Sequence, residues 1–477
     1  MSRSQGRSLW VLAVTVVFAV GACAGGASPG ASTAASAGAS TAASASAAAS
    51  GANASAVTGA ACAQNATVVN FWTSHTPPDS DVIKGMVDTF NQANADICVK
   101  MTIVKGSETD TSKLQTAIRG GVAPDVYEVD RFIVAQRAQE GVVEDITAEV
   151  GNLKDQYLDF AWAETQFEGK TFALPFDTDA RALWYNKDLV TAAGGDLTKL
   201  DMTKGPPTIA DVTAIADKIS KKTGDNYDVM GWIPGGPGAG GQPGAFDQGW
   251  HYTWGFDYGG KFADLAACKV TPTDPGVVAG YQFMYDWQKA HNPTAVSRWV
   301  STNNPPNAPA ASNPFWTGKL GMTISGDWRI AEQAKYAPNG HYGFTFIPVP
   351  KAGDKATTWA GGWSMALIPG SKARAQAIKF IEFMDGPDGS KIYTKQSTHL
   401  SPLKALQTDD SLYDPQHKVF LGLLPTALSR PPLAVGAYYW DQLTSAQGSV
   451  ELNTKQPQAA LQEVQDKVQA KLDQVKC

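Results

Sequence analysis

The chain has 477 residues and a formal net charge of -6, from 39 Lys and Arg against 45 Asp and Glu. This mildly acidic balance, with no basic cluster, excludes a phosphate-backbone partner, because nucleic-acid binders concentrate positive field on one face. Aromatic side chains make up 10% of the chain and include 14 Trp, whose flat rings with one N–H donor suit either a core or a ligand platform.

In chain order, Arg3 and Arg7 precede an apolar run from Leu9 to Val20. That run has the length of a secretory h-region and is too short to cross ~30 Å of hydrocarbon as a helix. It ends Val20-Gly21-Ala22-Cys23, which resembles a bacterial lipoprotein cleavage box. The resemblance implies a signal peptide over 1–22, lipid such as palmitate on Cys23, and attachment to the extracellular face of the cell membrane without spanning it. A plain signal peptide with an incidental cysteine is the alternative. Within residues 23–65, Ala24 to about Ala60 is almost entirely Ala, Ser, Gly and Thr. Such a segment cannot bury enough apolar area to offset ordering entropy, and it reads as a flexible tether.

The remaining roughly four hundred residues can form two domains with full cores. A strand Thr67 to Trp72, a helix with Val82, Ile83, Met86, Val87 and Phe90 on one face, and a strand Cys98 to Val104 follow one another. Next come a helix around Leu114 and Ile118 and a strand Asp125 to Val129. Strands alternating with helices imply a parallel sheet with right-handed crossovers, hence an α/β lobe. Of five cysteines, Cys23 is set aside for lipid. A βαβ unit brings Cys62 and Cys98 to the same end of adjacent strands, so the expected disulfides are Cys62–Cys98 and Cys268–Cys477. Cys477 ends a helix with Leu461, Val464, Val468, Leu472 and Val475 on one face. Free thiols or a metal site are the alternatives. With no C-x-x-C or Cys/His ligand spacing, no metal and no cofactor are expected.

Gly169 to Val190, GKTFALPFDTDARALWYNKDLV, joins a strand ending at Pro175 to a strand Ala182 to Asn186 through a turn carrying Asp177 and Asp179. An ordinary hairpin would explain this stretch alone. It resembles the first interlobe crossing of the extracellular sugar-binding proteins of ABC importers, the group typified by maltose-binding protein. Leu114 to Ile118 with Ala123 to Val126, Gly141 to Ile146, Gly318 to Met322 with Gly326-Asp327-Trp328, and Gly361-Gly362-Trp363 to Pro369 extend the resemblance, as does Arg430-Pro431. It implies a two-lobe α/β fold of the type II periplasmic-binding-protein kind, with a hinge of three crossing segments. The N-terminal lobe is expected at 66–175 and 320–367, and the C-terminal lobe at 176–319 and 368–477. Segments 234–242 and 303–313 depart from the family pattern near where specificity would be set.

Sugars suit a cleft of carboxylates, amides and guanidinium groups with aromatic faces, because each buried hydroxyl left unpaired costs ~1–3 kcal/mol. The resemblance places Asp179 first as a ligand contact, then Asp130 and Arg131 of the Asp130-Arg131-Phe132 run. Trp72 and Ser74 at the end of the first strand follow, with Trp328, Trp363, Trp250, His251, Tyr438 and Tyr439. Tyr127 and Asp177 are weaker candidates. The implied protein is a monomeric, non-enzymatic receptor that captures a mono- or oligosaccharide and delivers it to an ABC permease. Two other classes stay open: a glycoside hydrolase, which also pairs carboxylates with Trp platforms, and a receptor of the same fold for polyamine or ferric iron, the latter suggested by Tyr438-Tyr439. No Gly-x-Ser-x-Gly, His-Glu-x-x-His, phosphate-loop or dinucleotide fingerprint is present.

Overall fold

A computed structural model describes residues 54–56, 62–104, 110–235, 248–305 and 308–475. The signal segment, Cys23, most of the tether, most of the 234–242 insert and Cys477 lie outside the described residues, so the Cys268–Cys477 pairing remains an expectation. Cys62 and Cys98 are joined in a disulfide with their Cα atoms 5.6 Å apart.

Two sheets organise the chain. The first has six strands in the spatial order Ala54–Ala56, Ile97–Val104, Thr67–Thr73, Val126–Asp130, Trp363–Leu367, Ala173–Pro175. Thr67–Thr73 runs parallel to both of its neighbours, as the strand–helix alternation predicts, whereas Trp363–Leu367 is antiparallel to both of its own. Helix Asp79–Ala93 covers one face with Ile83, Met86, Val87 and Phe90, an i, i+3, i+4, i+7 stripe. The second sheet has three antiparallel strands, with Arg181–Asn186 between Met322–Gly326 and Tyr342–Thr345. Helices Ile209–Ile219, His251–Asp257, Pro275–His291, Gly436–Glu451 and Pro457–Leu472 build the body around this sheet. The last of them buries Leu461, Val464, Val468 and Leu472, the stripe read from its sequence.

The expected lobe boundaries shift in two places. Strands Met322–Gly326 and Tyr342–Thr345, assigned to the first lobe, pair with Arg181–Asn186, so the return to the first sheet comes at Trp363 rather than at residue 320. An alternating run such as Met322 to Ser325 reveals a strand but carries nothing that names its neighbour. Helix Arg374–Asp385, expected in the second lobe, packs on the first sheet, with Phe380 5.3 Å from Phe71 and 5.2 Å from Phe90 between ring centres. Only a short turn separates this helix from Trp363–Leu367, and consecutive elements with short connections stay adjacent.

Three segments therefore pass between the bodies: 176–180, 346–362 and roughly 398–414. They lie side by side. Thr178 and Leu400 exchange backbone hydrogen bonds of 2.8 and 3.0 Å, the Thr178 hydroxyl donates to the Gly361 carbonyl at 3.3 Å, and Thr358–Ala360 pairs with Ala427–Ser429.

Candidate functional site at the crossing segments

Residues Phe176 to Ala180 are all buried, so each of their polar groups needs a partner inside the protein. The Phe176 amide donates to the Trp363 carbonyl at 2.9 Å. The two carboxylates of the turn each accept a backbone N–H at the end of the second crossing: Asp179 Oδ1 from Gly361 at 2.6 Å, and Asp177 Oδ1 from Trp363, the first residue of the strand that follows, at 2.6 Å. Arg131, fully buried, donates from Nε to Glu164 at 2.9 Å and from its terminal nitrogens to the carbonyls of Asp177 and Gly361. It clamps two crossings together. Gly362, at φ +134°, lies against this guanidinium, and a Cβ there would collide with it.

Around the clamp sit two further carboxylate–guanidinium pairs. Asp130, opposite Trp363 in the sheet, takes two hydrogen bonds from Arg430, at 3.0 and 2.6 Å. Asp179 accepts from Arg181, which also donates to the Trp359 carbonyl at 3.0 Å. The Trp359 ring lies between these cations, 3.2 Å from the Arg181 guanidinium carbon and 5.3 Å from that of Arg430, and its own N–H donates to Thr253 at 2.8 Å. Burial lowers the Arg181 pKa, with Asp179 opposing the shift. Trp328, half-buried, presents its ring 5.3 Å from the same guanidinium. Carboxylates with free lone pairs, fixed donors and aromatic faces are thus gathered where the bodies meet.

On the other side of Asp177 lies a second buried polar group. His75, just past the first strand, is 2.9 Å from Glu128, and His399 Nδ1 is 3.2 Å from Asp177 Oδ2. Trp363 packs edge-on to His75 at 4.9 Å, and Trp328 lies nearly parallel to His399 at 5.9 Å. Burial opposes charge on His399, but Asp177 and then Asp79 outweigh it and push its pKa up to about 10. Burial pushes the Asp177 carboxyl up to about 6, with His399 limiting the rise. Burial holds Asp327 and Asp385 well above the usual carboxylate range.

The candidates read from sequence divide by location. Asp130, Arg131, Asp179, Trp328 and Trp363 converge on the crossings, while Trp72 and Ser74 are half-buried near the end of the first strand. Trp250 and His251 are buried in an aromatic cluster, 5.1 and 4.6 Å from Trp440. Tyr439 is fully buried and donates to the Phe262 carbonyl at 2.8 Å, whereas Tyr438 is half-buried with the Lys471 ammonium 4.3 Å from its ring centre. Consecutive residues of one helix point ~100° apart, so these tyrosines do not offer two hydroxyls to one ion as the iron reading requires. Sequence reasoning missed Arg181, Arg430, Trp359, His75 and His399 as site residues. An arginine inside the apolar strand Arg181–Asn186 was the one local signal; the others have none.

Comparisons with known proteins agree with this architecture. The family model for bacterial extracellular solute-binding proteins matches residues 73–391. A binding protein of Brucella abortus is 25% identical over 363 residues, covering 75% of this chain and 82% of its own. Among solved structures, the mannotriose-bound protein CpMnBP1 superposes with a TM-score of 0.72 at 21% identity, over 84% of this chain and 99% of that one. The GacH receptor of Streptomyces glaucescens, solved without ligand and with acarbose, superposes with a TM-score of 0.70 at 24% identity, over 86% and 100%. The two likenesses establish a shared fold.

Proposed function

The chain belongs to the bacterial extracellular solute-binding proteins, and on that premise we propose that it captures a mono- or oligosaccharide between its two bodies for an ABC importer permease. The carrying observation is the cluster of Asp130–Arg430, Asp179–Arg181 and the half-buried Trp328 at the crossing segments. A carboxylate can accept about four hydrogen bonds. Asp130 and Asp179 therefore keep capacity for sugar hydroxyls while their arginines hold them in place, and the exposed part of Trp328 offers a face to sugar C–H groups. Trp363, Trp72 and Ser74 line the approach. Arg131 clamps the hinge, and Trp250, His251 and Tyr439 support it from the core. Opening and closing about the three crossings admits and encloses the ligand. Mannotriose and acarbose in two proteins of the same fold support a carbohydrate.

Among the described residues no helix is long and apolar enough to cross a membrane. In this reading, lipid on Cys23 holds the protein to the outer face of the cell membrane, and the ligand is released unchanged. Thermal unfolding against a carbohydrate panel tests it. A sugar at ~100-fold over its Kd stabilises by ~2.7 kcal/mol, about 3 °C at ~2.1 cal/mol/K of unfolding entropy per residue over roughly four hundred residues. A shift with polyamine or ferric iron and none with any carbohydrate would refute the sugar reading. Cleavage products after incubation with oligosaccharides would restore the hydrolase reading.

A further inference from the structure

His75, Asp177 and His399 come from the end of the first strand, the first crossing and the third crossing. Each places one possible ligand atom so that the three lie within 4.8 Å of one another. Asp177 is fully buried, the His399 residue is 5% exposed, and the His75 side chain is 8% exposed. His399 Nδ1 and Asp177 Oδ2 form an ion pair at 3.2 Å without the alignment of a hydrogen bond. Two groups this close that do not align on each other are free to face a common third body. Behind them, Glu128 Oε1 and Asp327 Oδ1 are also buried without partners. Leaving such groups unpaired costs ~1–3 kcal/mol each or more, and a cation among them would remove much of that cost.

The supporting shell has, at His75, the form that metal-binding histidines favour, in which the second ring nitrogen is held by a carboxylate. His75 Nδ1 is 2.9 Å from Glu128 Oε2 and its Nε2 has only a long contact of 3.4 Å with the Tyr393 hydroxyl, while Asp79 Oδ2 stands 3.8 Å from His399 Nε2 and adds negative charge without a hydrogen bond. Two imidazoles and one carboxylate select a borderline ion rather than calcium or magnesium, which take oxygen donors. We propose that His75, Asp177 and His399 bind one zinc-like divalent transition-metal ion, which ties the first strand to the first and third crossings. Tetrahedral bonds of about 2.0–2.1 Å put ligand atoms roughly 3.4 Å apart, so binding draws the three side chains inward. The ion takes the place of any proton on the histidines, so its affinity falls with acidity.

The test uses the full chain, stripped with a chelator and titrated with zinc chloride by calorimetry in the absence of sugar, with bound metal counted by elemental analysis. The expected result is one ion per chain, a rise in melting temperature on its addition, and at least a hundredfold weaker binding in His399→Gln and Asp177→Asn. Glu128→Gln, which alters the support of His75 and keeps an acceptor for the Thr73 hydroxyl, is expected to lose 10–100-fold. His341 and His291 form ion pairs at more exposed carboxylates, and His341→Gln with His291→Gln controls for adventitious surface binding. No bound ion in the wild type, unchanged affinity in folded His399→Gln and Asp177→Asn, or loss of binding in the surface variant instead would overturn the proposal.

Discussion

Truncating Asp130 is expected to damage the empty protein before any ligand is added. Its side chain is 7% exposed and takes both terminal nitrogens of Arg430, whose guanidinium lies 3.9 Å from the Phe132 ring centre and 5.6 Å from that of Trp440. Asp130→Ala removes the carboxylate that takes two hydrogen bonds from that buried cation, a change that costs about 3–5 kcal/mol. With unfolding entropy of ~2.1 cal/mol/K per residue over roughly four hundred residues, the melting temperature falls by ~4–6 °C. Arg430→Met alone costs a similar amount by stranding Asp130. The double variant Asp130→Leu, Arg430→Met replaces the pair with apolar groups of comparable volume and recovers most of the loss, because a buried pair contributes little net stability over a well-packed apolar substitute. Calorimetric unfolding of the four apo proteins at one pH measures the cycle. Singles that melt within a degree of the wild type, or a double variant that loses the sum of the singles, would refute the idea that the two charges depend chiefly on each other.

Three further outcomes are expected. Trp328→Ala should weaken binding of the sugar found in the screen about tenfold, the scale of a lost stacking face, with little change in apo melting temperature; the reverse pattern marks a core residue. His251 has its pKa lowered from 6.5 to about 3, by burial and then by Arg430. The unfolded chain therefore binds a proton that the folded one refuses between those values, and stability drops by ~1.4 kcal/mol per pH unit as pH falls through that window. His251→Phe keeps the ring contacts and should flatten this acid limb in urea titrations from pH 7 to pH 4; an unchanged slope excludes the residue. Cys23→Ser should release the protein from membranes or leave an uncleaved precursor, and a mutant still membrane-bound at unchanged mass would remove the lipid anchor.

Local chemistry was readable where periodicity or a motif carried it. The stripe Ile83, Met86, Val87, Phe90 and the helix from Pro457 lie where the spacing puts them. Asp130, Arg131 and Asp179 stood out through the runs around them, and all three reach the crossings. Their partners did not stand out, because the contact between Asp130 and Arg430 spans 300 positions and exists only after both bodies have formed. The same holds for His75, Asp177 and His399, which have none of the short spacing by which a metal site announces itself. Trp250, His251 and Tyr439 are buried among aromatic rings, which their sequence did not reveal. An aromatic residue in a family-like segment looks the same whether it faces solvent or a core, and only the packing around Trp440 separates the two.

The placement of Trp363–Leu367 between Val126–Asp130 and Ala173–Pro175 also governs how the protein is born. Ala173–Pro175 has no other neighbour in its sheet, so it waits for a strand that begins roughly 190 residues later. Whatever the rate at which residues arrive, that interval must pass before the sheet can close. Throughout it, Val126–Asp130 shows an open edge able to pair with any extended chain nearby. Arg181–Asn186 likewise waits for both of its partners, at Met322–Gly326 and Tyr342–Thr345. Neither sheet can close early, so a nascent chain stopped anywhere before residue 363 is a poor folder and a good client for a holding chaperone.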